Sequence, residues 1–367
     1  MTANDASGAT RPRSAREVLI PAPRARAGRR DAPRSVVREW LGAEVRRLVH
    51  ELDGVSTPAR PLERWRLLAG LGRTDLVLAR LVEGHLDAIA ILAEAGREPV
   101  SGAAYGVWAS ASGRTGLRLD RSRAAGSLDG TMRFCSGAGL LDRALVIARD
   151  ADDQVLLLDI DALDGRVAPV PGTWPALGMD ASDSLDVAVH DLPVRPADAL
   201  GPPGWYVERT GLHLGGIGVA AVWLGGAHGL LDATAAALRV VGADDHQRAH
   251  IGAVVVALES AAAVLVESSR RLDGCPRDPE TGLPQLPDGE LARVALGCRS
   301  AVEAAVGVAL ARLPRVAGPV MLARDGEYVH RLADLEVFVR QHHGERDLAR
   351  LGTAELDDPW ARTDPGP

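Results

Sequence analysis

The residue patterns divide the chain into three blocks, helical, then β-rich, then helical, and this order constrains the fold more than any other feature. In residues 35–99 the apolar side chains recur at helical spacing, and long helical patterns return in residues 204–352. Between them, in residues 100–203, the apolar runs are short and are separated by Gly, Asp and Pro, which is typical of an antiparallel barrel or sandwich. Blocks that follow one another without alternating exclude a doubly wound fold. We therefore expect an α+β fold with a helical N-terminal domain, a central antiparallel β domain and a C-terminal four-helix bundle.

The two ends of the chain lack this periodicity. Residues 1–34 are rich in Arg, Ala, Pro and Ser, and residues 353–367 are mostly polar. Segments of such composition bury too little apolar surface to fold alone, so we expect a disordered tail before the first block and a loose tail after the last. The start of the chain contains no apolar segment typical of a secretory signal, which favours a cytoplasmic location.

The composition excludes several classes of function. The net charge is −7, which argues against a nucleic-acid partner, since such binding needs a basic face. Three cysteines, Cys135, Cys275 and Cys298, lie too far apart to indicate a disulfide framework or a zinc ribbon. The apolar run 214–231 is long enough to span a membrane, but it contains six glycines and His228. We expect a closely packed buried helix there, and no membrane partner.

The stretch 126–148 has the pattern of a β-hairpin that ends in a loop of very small side chains. Asp129 and Gly130 together predict the tight turn, because glycine supplies the positive φ that such a turn needs. The loop 137–139 lets a planar ligand approach the backbone and leaves the hydroxyl of Ser136 free to donate. Taken alone, the stretch is explained more simply as an ordinary hairpin at the rim of a barrel.

Several other residues admit a functional and a structural interpretation. His246 and His250 stand at a spacing that can ligate zinc, but a surface helix capped by Asp244 explains them better, so we expect no metal site. Glu208 and Arg209 could form a buried pair or lie on a solvated face, and we expect the solvated face. Cys135 could be a nucleophile, but no arrangement of a histidine with an aspartate lies near it in sequence, and a small core residue is the better interpretation.

Three stretches, read with the order of the blocks, resemble the acyl-CoA dehydrogenase superfamily over residues 35–352. Residues 105–110, Tyr-Gly-Val-Trp-Ala-Ser, are similar to the strand that flanks the flavin in that family. Residues 128–139 are similar to the family's hairpin against the flavin ring, and residues 201–227 to its first bundle helix. The resemblance implies the three-part fold named above and a flavoprotein.

The resemblance assigns roles to five residues near the flavin, which in this family is usually FAD. Phe134 would lie against the isoalloxazine ring, and the hydroxyl of Ser136 would bond the ring near N5. Cys135 lies between them. Val107 and Trp108 would line the dimethylbenzene or pyrimidine side of the ring. An aromatic wall with hydrogen-bond donors suits a flavin that must be held when reduced.

The chain departs from the family at the catalytic base. Family dehydrogenases use a glutamate, placed either late in the bundle or on its first helix, to take the α-proton of an acyl thioester. Here residues 338–344 and 212–216 contain no carboxylate. His342 stands about where the late glutamate would be, and flavin monooxygenases of the superfamily also carry a histidine there. His342 is therefore the candidate acid or base, and a solvated helix end is the alternative interpretation of His342 and His343.

The chain also departs from the family where FAD is gripped by the bundle. Residues 241–247 are too short to hold the arginine that contacts the FAD pyrophosphate, and their two aspartates would repel phosphate. The glycine-rich loop of the family survives only in part, at residues 315–319. The resemblance thus implies FAD through the β domain alone.

Three functions follow from these observations. The first is a flavin-dependent oxidoreductase acting on the CH–CH bond of an acyl thioester or a related small molecule, so that an acyl-CoA-type substrate is a candidate partner. The second is a flavin monooxygenase in which His342 replaces the glutamate. The third is a non-catalytic member that acts as a binding or partner subunit. Family members are usually dimers or tetramers through the bundle, so we expect a homodimer or homotetramer.

Overall fold

The computed structural model describes residues 19–21, 34–52, 61–110, 116–122, 126–287 and 289–357. Within these residues three helices precede the sheet, and they are α1 (Arg34–Glu51), α2 (Pro61–Thr74) and α3 (Leu76–Glu94). Helix α3 begins where Asp75 caps it, because the Asp75 carboxylate accepts a hydrogen bond from the Leu78 N–H at 3.0 Å. The start of this helix is thus set by its sequence.

Part of the segment expected to be a disordered tail packs against these helices. Leu19 and Ile20 are buried in the same apolar core as α1 to α3. Pro21 lies against α2, where a Cβ on Gly70 would meet the proline ring at 2.7 Å. For these three residues the prediction of a tail is wrong, since two adjacent apolar side chains suffice to anchor a short segment. Apart from Arg34, the rest of residues 1–34 lies outside the described residues.

The central block forms one mixed sheet. Among the described residues its strands are β1 (Tyr105–Trp108), β2 (Gly116–Asp120), β3 (Gly126–Cys135), β4 (Arg143–Arg149), β5 (Val155–Asp161), β6 (Val167–Val170), β7 (Leu185–Val194) and β8 (Ala199–Leu200). Their order is β6-β7-β3-β2-β4-β5-β8, and β1 pairs with β4 beside β2. Both β1 and β2 run parallel to β4, so the prediction of a purely antiparallel domain is wrong.

The predicted turn at Asp129 and Gly130 lies inside strand β3. Two neighbouring strands, β2 and β7, pair with β3 along its length, and the register with β7 shifts between Leu128 and Gly130. Gly130 has a φ of 135°, and a Cβ there would lie 2.3 Å from the carbonyl oxygen of Gly116. The glycine therefore permits a bulge in the pairing with β7 and a close approach to β2 rather than a turn, and β3 is a single strand of ten residues.

The third block is helical, as predicted, but several boundaries differ. Its helices are α4 (Trp205–Glu208), α5 (Gly211–Val241), α6 (Asp245–Asp273), α7 (Glu290–Arg324), α8 (Gly326–Phe338) and α9 (Glu345–Asp357). The helix expected from residue 205 is interrupted before Gly211. The expected loop at residues 314–319 lies within α7, where Gly318 has φ 65° and kinks the helix. Residues 353–357 belong to α9 and are not a loose tail.

The three sequence blocks form two principal cores. One core joins the N-terminal helices to the bundle, so that Leu68 of α2 and Leu81 of α3 share it with Trp223 of α5 and Phe338 of α8. The sheet has its own core, which includes Trp108 and Val187. The two helical blocks are therefore one body in space, and the sheet is inserted between them in the sequence.

Helix α5 is the centre of the helical body, and its glycines permit close packing as predicted. A Cβ on Gly225 would lie 2.0 Å from the Ala69 carbonyl oxygen of α2, and one on Gly72 would lie 2.3 Å from that of Val222. By length and composition α5, α6 and α7 could each cross a membrane. The apolar windows of these helices are 83%, 33% and 39% buried inside the protein, in that order.

Candidate functional site

Strand β3 ends in an exposed aromatic side chain held in an unusual backbone conformation. Phe134 has a φ of 60°, a value that non-glycine residues rarely adopt. Its side chain is 49% exposed and meets Trp174 edge-to-face at a centroid distance of 6.2 Å. Such a conformation costs on the order of 1–3 kcal/mol, and residues of this kind cluster at ligand sites. Phe134 can therefore serve as one wall for a planar ring.

The hydroxyl of Ser136 is not free, in contrast to the prediction. It lies 2.9 Å from the hydroxyl of Ser184, which lies 2.8 Å from that of Ser182. Ser182 donates to the Met179 carbonyl oxygen at 2.6 Å. Because each hydroxyl has one proton, Ser184 must donate to Ser182, and Ser136 must donate to Ser184. The Ser136 oxygen keeps its acceptor capacity, so a ligand group that faces it has to be a donor.

Contacts within the protein account for three further residues that the resemblance assigns to the flavin, and they are Trp108, Cys135 and Val107. The Trp108 indole donates from Nε1 to the Ser136 carbonyl oxygen at 2.9 Å and thereby holds the end of β3 in place. Cys135 is fully buried, and burial raises the pKa of its thiol well above the usual range. The thiol is thus no nucleophile at neutral pH. Val107 follows the alternation of β1 and packs in a different apolar cluster from Trp108.

His342 is buried at the end of a short 3-10 turn, Val339–Gln341, that follows α8. It is 6% exposed, and its ring meets that of Trp223 edge-to-face at 6.5 Å. Its Nδ1 accepts a hydrogen bond from the Gly344 N–H at 3.1 Å, and its Nε2 lies 3.1 Å from the Ser300 hydroxyl. The interpretation of His342 as a solvated helix end is therefore wrong, whereas His343 has an exposed side chain that pairs with Asp347.

The protonation state of His342 follows from these contacts. Burial, together with the positive charge of Arg299, lowers the pKa of His342, and Asp347 opposes that effect. The ring is neutral at pH 7 as a result. Because Nδ1 accepts the Gly344 N–H, the single ring proton is on Nε2 and points to Ser300.

A cluster of buried charges that the sequence did not predict lies between α3 and α5. Helix α3 contributes Glu83, Asp87 and Glu94, which are spaced along one side of the helix. Arg64 of α2 approaches Asp87 at 3.6 Å, and Arg209 bonds Glu94 at 3.0 Å. Burial raises the pKa of Glu83, although Arg80 opposes it.

Arg299 of α7 lies between α5 and the turn that precedes His342. Its guanidinium lies 4.8 Å above the Trp223 ring, and it donates to the carbonyl oxygens of Gly216 and Gln341 at 2.8 and 3.0 Å. Gly216 and Gln341 belong to the two segments in which the family carries its glutamate. Arg299 therefore joins these two segments, and its positive charge acts on both Glu83 and His342.

The glycines at the start of α5 are the feature of the sequence that marks the charged cluster. A Cβ on Gly211 would lie 2.3 Å from a Glu94 carboxylate oxygen, and one on Gly215 would lie 2.5 Å from an Asp87 oxygen. The space that these glycines leave is thus filled by the carboxylates of α3. The expectation that Arg209 is solvated is wrong, because it is buried and pairs with Glu94 of α3.

Helix α6 begins at the predicted cap and carries the two histidines near its start. Asp244 caps this helix and accepts from the Gln247 N–H at 2.7 Å, as predicted. His250 lies 3.2 Å from a guanidinium nitrogen of Arg312. Among the described residues no three metal-ligating side chains come together.

Part of the chain matches curated monooxygenases. Over 118 residues it is 34% identical to dibenzothiophene monooxygenase of Rhodococcus erythropolis, and to the enzyme of the same name from Rhodococcus qingshengii. The match covers 29% of this chain and 28% of each relative, so the chain aligns with less than a third of their length. No family model matches the chain.

Solved structures of known proteins are similar over most of the chain. FMN-bound TdsC from Paenibacillus sp. A11-2 has a TM-score of 0.70 at 18% identity, covering 88% of this chain and 96% of that one. XiaF from a Streptomyces species, in complex with FADH2, has a TM-score of 0.68 at 16% identity, covering 88% and 97%. KijD3 in complex with dTDP has a TM-score of 0.71 at 16% identity, covering 91% and 98%. The chain therefore has the acyl-CoA dehydrogenase-like fold that these proteins share.

Proposed function

We propose that the chain is a flavin-dependent monooxygenase, which uses a reduced flavin and molecular oxygen to oxygenate a small organic molecule. The state of His342 is the observation that carries the proposal. Its Nδ1 is occupied by the Gly344 N–H and its Nε2 carries the proton. A ring in this state donates, and it presents no free lone pair with which to take the α-proton of an acyl thioester.

The similar proteins support oxygenation over oxidation of a CH–CH bond. The curated relatives are monooxygenases, and the name of TdsC is also dibenzothiophene monooxygenase. MsuC from Pseudomonas fluorescens, a methanesulfinate monooxygenase, has a TM-score of 0.65. Of the functions that the sequence suggested, the flavin monooxygenase with His342 is therefore the one proposed here, and oxidation of an acyl thioester is not.

The end of β3 fits one side of a reduced flavin. Phe134 offers an exposed aromatic wall. The proton of the Ser136 hydroxyl is used on Ser184, so its oxygen can only accept a hydrogen bond from a ligand. A reduced flavin carries an N–H at N5, where the oxidised ring has a bare nitrogen, so the acceptor matches the reduced form. The bound reduced flavin supplies the electrons that activate oxygen.

FMN fits the bundle side better than FAD. FAD would bring a pyrophosphate to the segment before α6, where Asp244 caps the helix and Arg248 pairs with Asp245 at 2.8 Å. FMN has no pyrophosphate and needs no arginine there. TdsC binds FMN and XiaF binds FADH2, so both forms of flavin occur on this fold, and FMN is proposed for this chain.

His342 would act as a hydrogen-bond donor in this reaction. Its Nε2–H points to the Ser300 hydroxyl at 3.1 Å, so the Ser300 proton is available for another acceptor. Burial and Arg299 together keep the ring neutral, and Arg299 donates to the carbonyl oxygens of Gly216 and Gln341. In this arrangement His342 would stabilise negative charge through Ser300, and no carboxylate base is required.

The proposal is tested with purified protein, reduced FMN and a controlled supply of oxygen. Anaerobic titration gives the affinity for reduced FMN, and an oxygen electrode then gives the rate of oxygen consumption with indole or dibenzothiophene present. We expect His342→Gln to bind reduced FMN normally and to lose about 10²-fold in the rate of substrate oxygenation. His343→Gln, with its exposed side chain, is the matched control and should keep the wild-type rate.

Two results would overturn the proposal. A protein that binds neither FMN nor FAD in either redox state has no flavin chemistry, and the interpretation as a partner subunit would replace it. Anaerobic bleaching of bound flavin by an acyl-CoA would show that the chain is a dehydrogenase in spite of His342.

A further inference from the structure

The connection between β6 and β7 contains two buried residues in the left-handed backbone region. Met179 has a φ of 57° and Asp183 has a φ of 45°, and they are 3% and 1% exposed. Non-glycine residues are strained in this region and stay there only where their surroundings hold them. Residues 178–184, which we name the buried loop, are therefore held in place by neighbouring elements.

Helix α8 holds the start of the buried loop. The Asp334 side chain is buried, and its Oδ1 accepts a hydrogen bond from the Met179 N–H at 2.7 Å. Gly178 lies directly against the same helix, because a Cβ on Gly178 would lie 2.1 Å from the Ala333 carbonyl oxygen. Asp334 therefore fixes the Met179 N–H, and Gly178 lets the loop come close enough for this contact.

The carbonyl group of Met179 determines where the Ser182 hydroxyl donates. Its oxygen accepts from the Ser182 N–H at 3.0 Å and from the Ser182 hydroxyl at 2.6 Å. The hydroxyl of Ser184 lies 2.8 Å from that of Ser182 and 2.9 Å from that of Ser136. Asp334 thus stands at one end of a row of hydrogen bonds, and the Ser136 hydroxyl stands at the other.

The buried loop also holds the backbone that follows β3. The Gly137 N–H donates to the Ser182 carbonyl oxygen at 2.7 Å, and the Ala138 N–H donates to that of Asp183 at 3.2 Å. On the other side, Arg38 of α1 pairs with the Asp183 carboxylate at 2.8 Å. The loop therefore lies between α1, α8 and the end of β3, and its position sets that of Ser136.

Helix α8 also leads to His342. It ends at Phe338, and the 3-10 turn Val339–Gln341 joins it to His342. The rings of Phe338 and His342 both meet Trp223 edge-to-face, at 6.3 and 6.5 Å. One helix thus positions both the buried loop and the histidine.

We propose that Asp334 is a positioning residue, which keeps the Ser136 hydroxyl an acceptor towards the N5–H of a reduced flavin. Without its partner on α8 the strained Met179 can relax to a negative φ, which turns its carbonyl oxygen away from Ser182. Ser182 is then free to donate to Ser184, and Ser136 becomes able to donate to the bare N5 of an oxidised flavin. The inference rests on the proposed function, because this polarity matters only if flavin binds at the end of β3.

The test compares two substitutions that differ in the acceptor at position 334. Asp334→Leu keeps a branched shape and has no acceptor, whereas Asp334→Asn keeps an oxygen for the Met179 N–H. Both remove the same charge beside Arg331, so its loss affects them alike. Titration with oxidised FMN in air and with dithionite-reduced FMN under argon, followed by absorption, gives the two dissociation constants.

The measured quantity is the ratio of the dissociation constant for oxidised FMN to that for reduced FMN. We expect this ratio to fall about 3- to 10-fold in Asp334→Leu, the value of one hydrogen bond, and to change less than about twofold in Asp334→Asn. An equal fall in both variants, or no fall in Asp334→Leu, would overturn the inference.

Two further variants separate positioning from a general loss of stability. Asp325→Ala removes the side chain that caps α8 at the Tyr328 N–H, 3.0 Å away, and makes no change in the buried loop. It should weaken the helix and leave the ratio unchanged. Adding Asp334→Leu to Ser182→Ala should change the ratio less than about twofold, because the effect of Asp334 passes through Ser182. Additive effects of the two substitutions would contradict that route.

A measurement on the wild type covers the case in which Asp334→Leu does not fold. The chain has four methionines, so labelling them with nitrogen-15 gives few amide signals, and Met179→Leu identifies the one of Met179. We expect the Met179 amide to exchange with solvent at least about 10²-fold more slowly than in a free peptide. Exchange at the rate of a free peptide would show that Asp334 does not hold this amide.

The outcomes also separate this inference from the proposed function. A shifted ratio in Asp334→Leu, in a protein that consumes no oxygen with reduced FMN, would support the positioning role and remove the oxygenase. Oxygenation by the wild type with the same ratio in Asp334→Leu would keep the oxygenase and remove the positioning role. A wild type that binds no flavin in either redox state would remove both.

Discussion

The direction of the hydrogen bonds from Ser136 to Ser182 decides what the end of β3 offers to a ligand. Ser182 gives its proton to a backbone carbonyl that cannot donate in return. This fixes the donor at each earlier step and leaves Ser136 as an acceptor. Ser182, which is two hydrogen bonds away from Ser136, thus determines that the Ser136 hydroxyl accepts from a ligand and does not donate to it.

We expect Ser182→Ala to shift the flavin preference towards the oxidised form. Without Ser182 the Ser184 hydroxyl can donate to Ser136, and Ser136 can then donate to the bare N5 of oxidised flavin. The ratio of dissociation constants for oxidised and reduced FMN should fall about 3- to 10-fold, the value of one hydrogen bond. Titrations with oxidised FMN in air and with dithionite-reduced FMN under argon, followed by absorption, measure the two constants. Ser127→Ala, whose hydroxyl bonds Asp191 elsewhere in the sheet, is the control, and an equal shift in both variants would refute the explanation.

His342 should make stability depend on pH below its ordinary pKa. Its folded-state pKa is lowered from 6.5 by burial and by Arg299, so the unfolded chain binds more protons between the folded value and 6.5. The free energy of unfolding therefore falls as the pH falls through that window and is fully restored above about 6.5. Urea unfolding at several pH values should show this loss in the wild type. His342→Gln should lack it, His343→Gln should retain it, and equal slopes in all three would exclude His342 as the cause.

Close contact between helices depends on glycines that lie in the interface of α2 and α5. A Cβ on Gly225 would lie 2.0 Å from the Ala69 backbone oxygen, which cannot move aside as a flexible side chain could. We expect Gly225→Ala to lower the free energy of unfolding by about 1–3 kcal/mol or more. Gly252→Ala on α6 meets nothing within 4 Å, so it should stabilise by about 0.5–1 kcal/mol through helix propensity. Urea titration measures the free energy of unfolding of both variants. A lower value in both would point to the geometry of the helices as the cause, and not to the contact with Ala69.

The sequence predicts an element correctly where local residues alone determine it. Strand β4 is such a case, and strand β3 is not. Strand β4 has a continuous apolar run, and it ends one residue beyond the stretch 126–148 for which a hairpin was predicted. In β3 the Asp129–Gly130 pair has the local signature of a turn, but pairing with β2 and β7 on both sides keeps the chain extended. For a related reason the sequence did not predict that the carboxylates of α3 lie in a charged cluster. Their partners, Arg64 and Arg209, come from distant parts of the sequence and meet them only in the folded chain.

At the scale of the whole molecule, α6 and α7 present apolar side chains that the single chain does not cover. Their apolar windows are only 33% and 39% buried, and Val256 of α6 is 68% exposed. Exposed apolar surface of this extent marks an interaction face, so we expect a second copy of the chain to cover it. Light scattering should give a dimer or a larger assembly.

A charge on this face should shift the assembly to monomer. We expect Val256→Glu to raise the dissociation constant of the oligomer at least about tenfold, because an unpaired carboxylate would be buried in the interface. Val100→Glu, at an exposed valine near the start of the sheet, should leave the assembly unchanged. A monomeric wild type at micromolar concentration would refute the expectation.

The shared core of the two helical blocks has a consequence for how the chain is made. The side chains of Leu68 and Leu81 stay uncovered until Trp223 and Phe338 have been synthesised. At synthesis rates of about 5–20 residues per second, that wait lasts on the order of 10 s, while the whole sheet leaves the ribosome in between. The nascent N-terminal helices therefore expose apolar surface for much longer than those of a domain that folds as it emerges. Their lifetime in the cell depends on whatever shields them during translation.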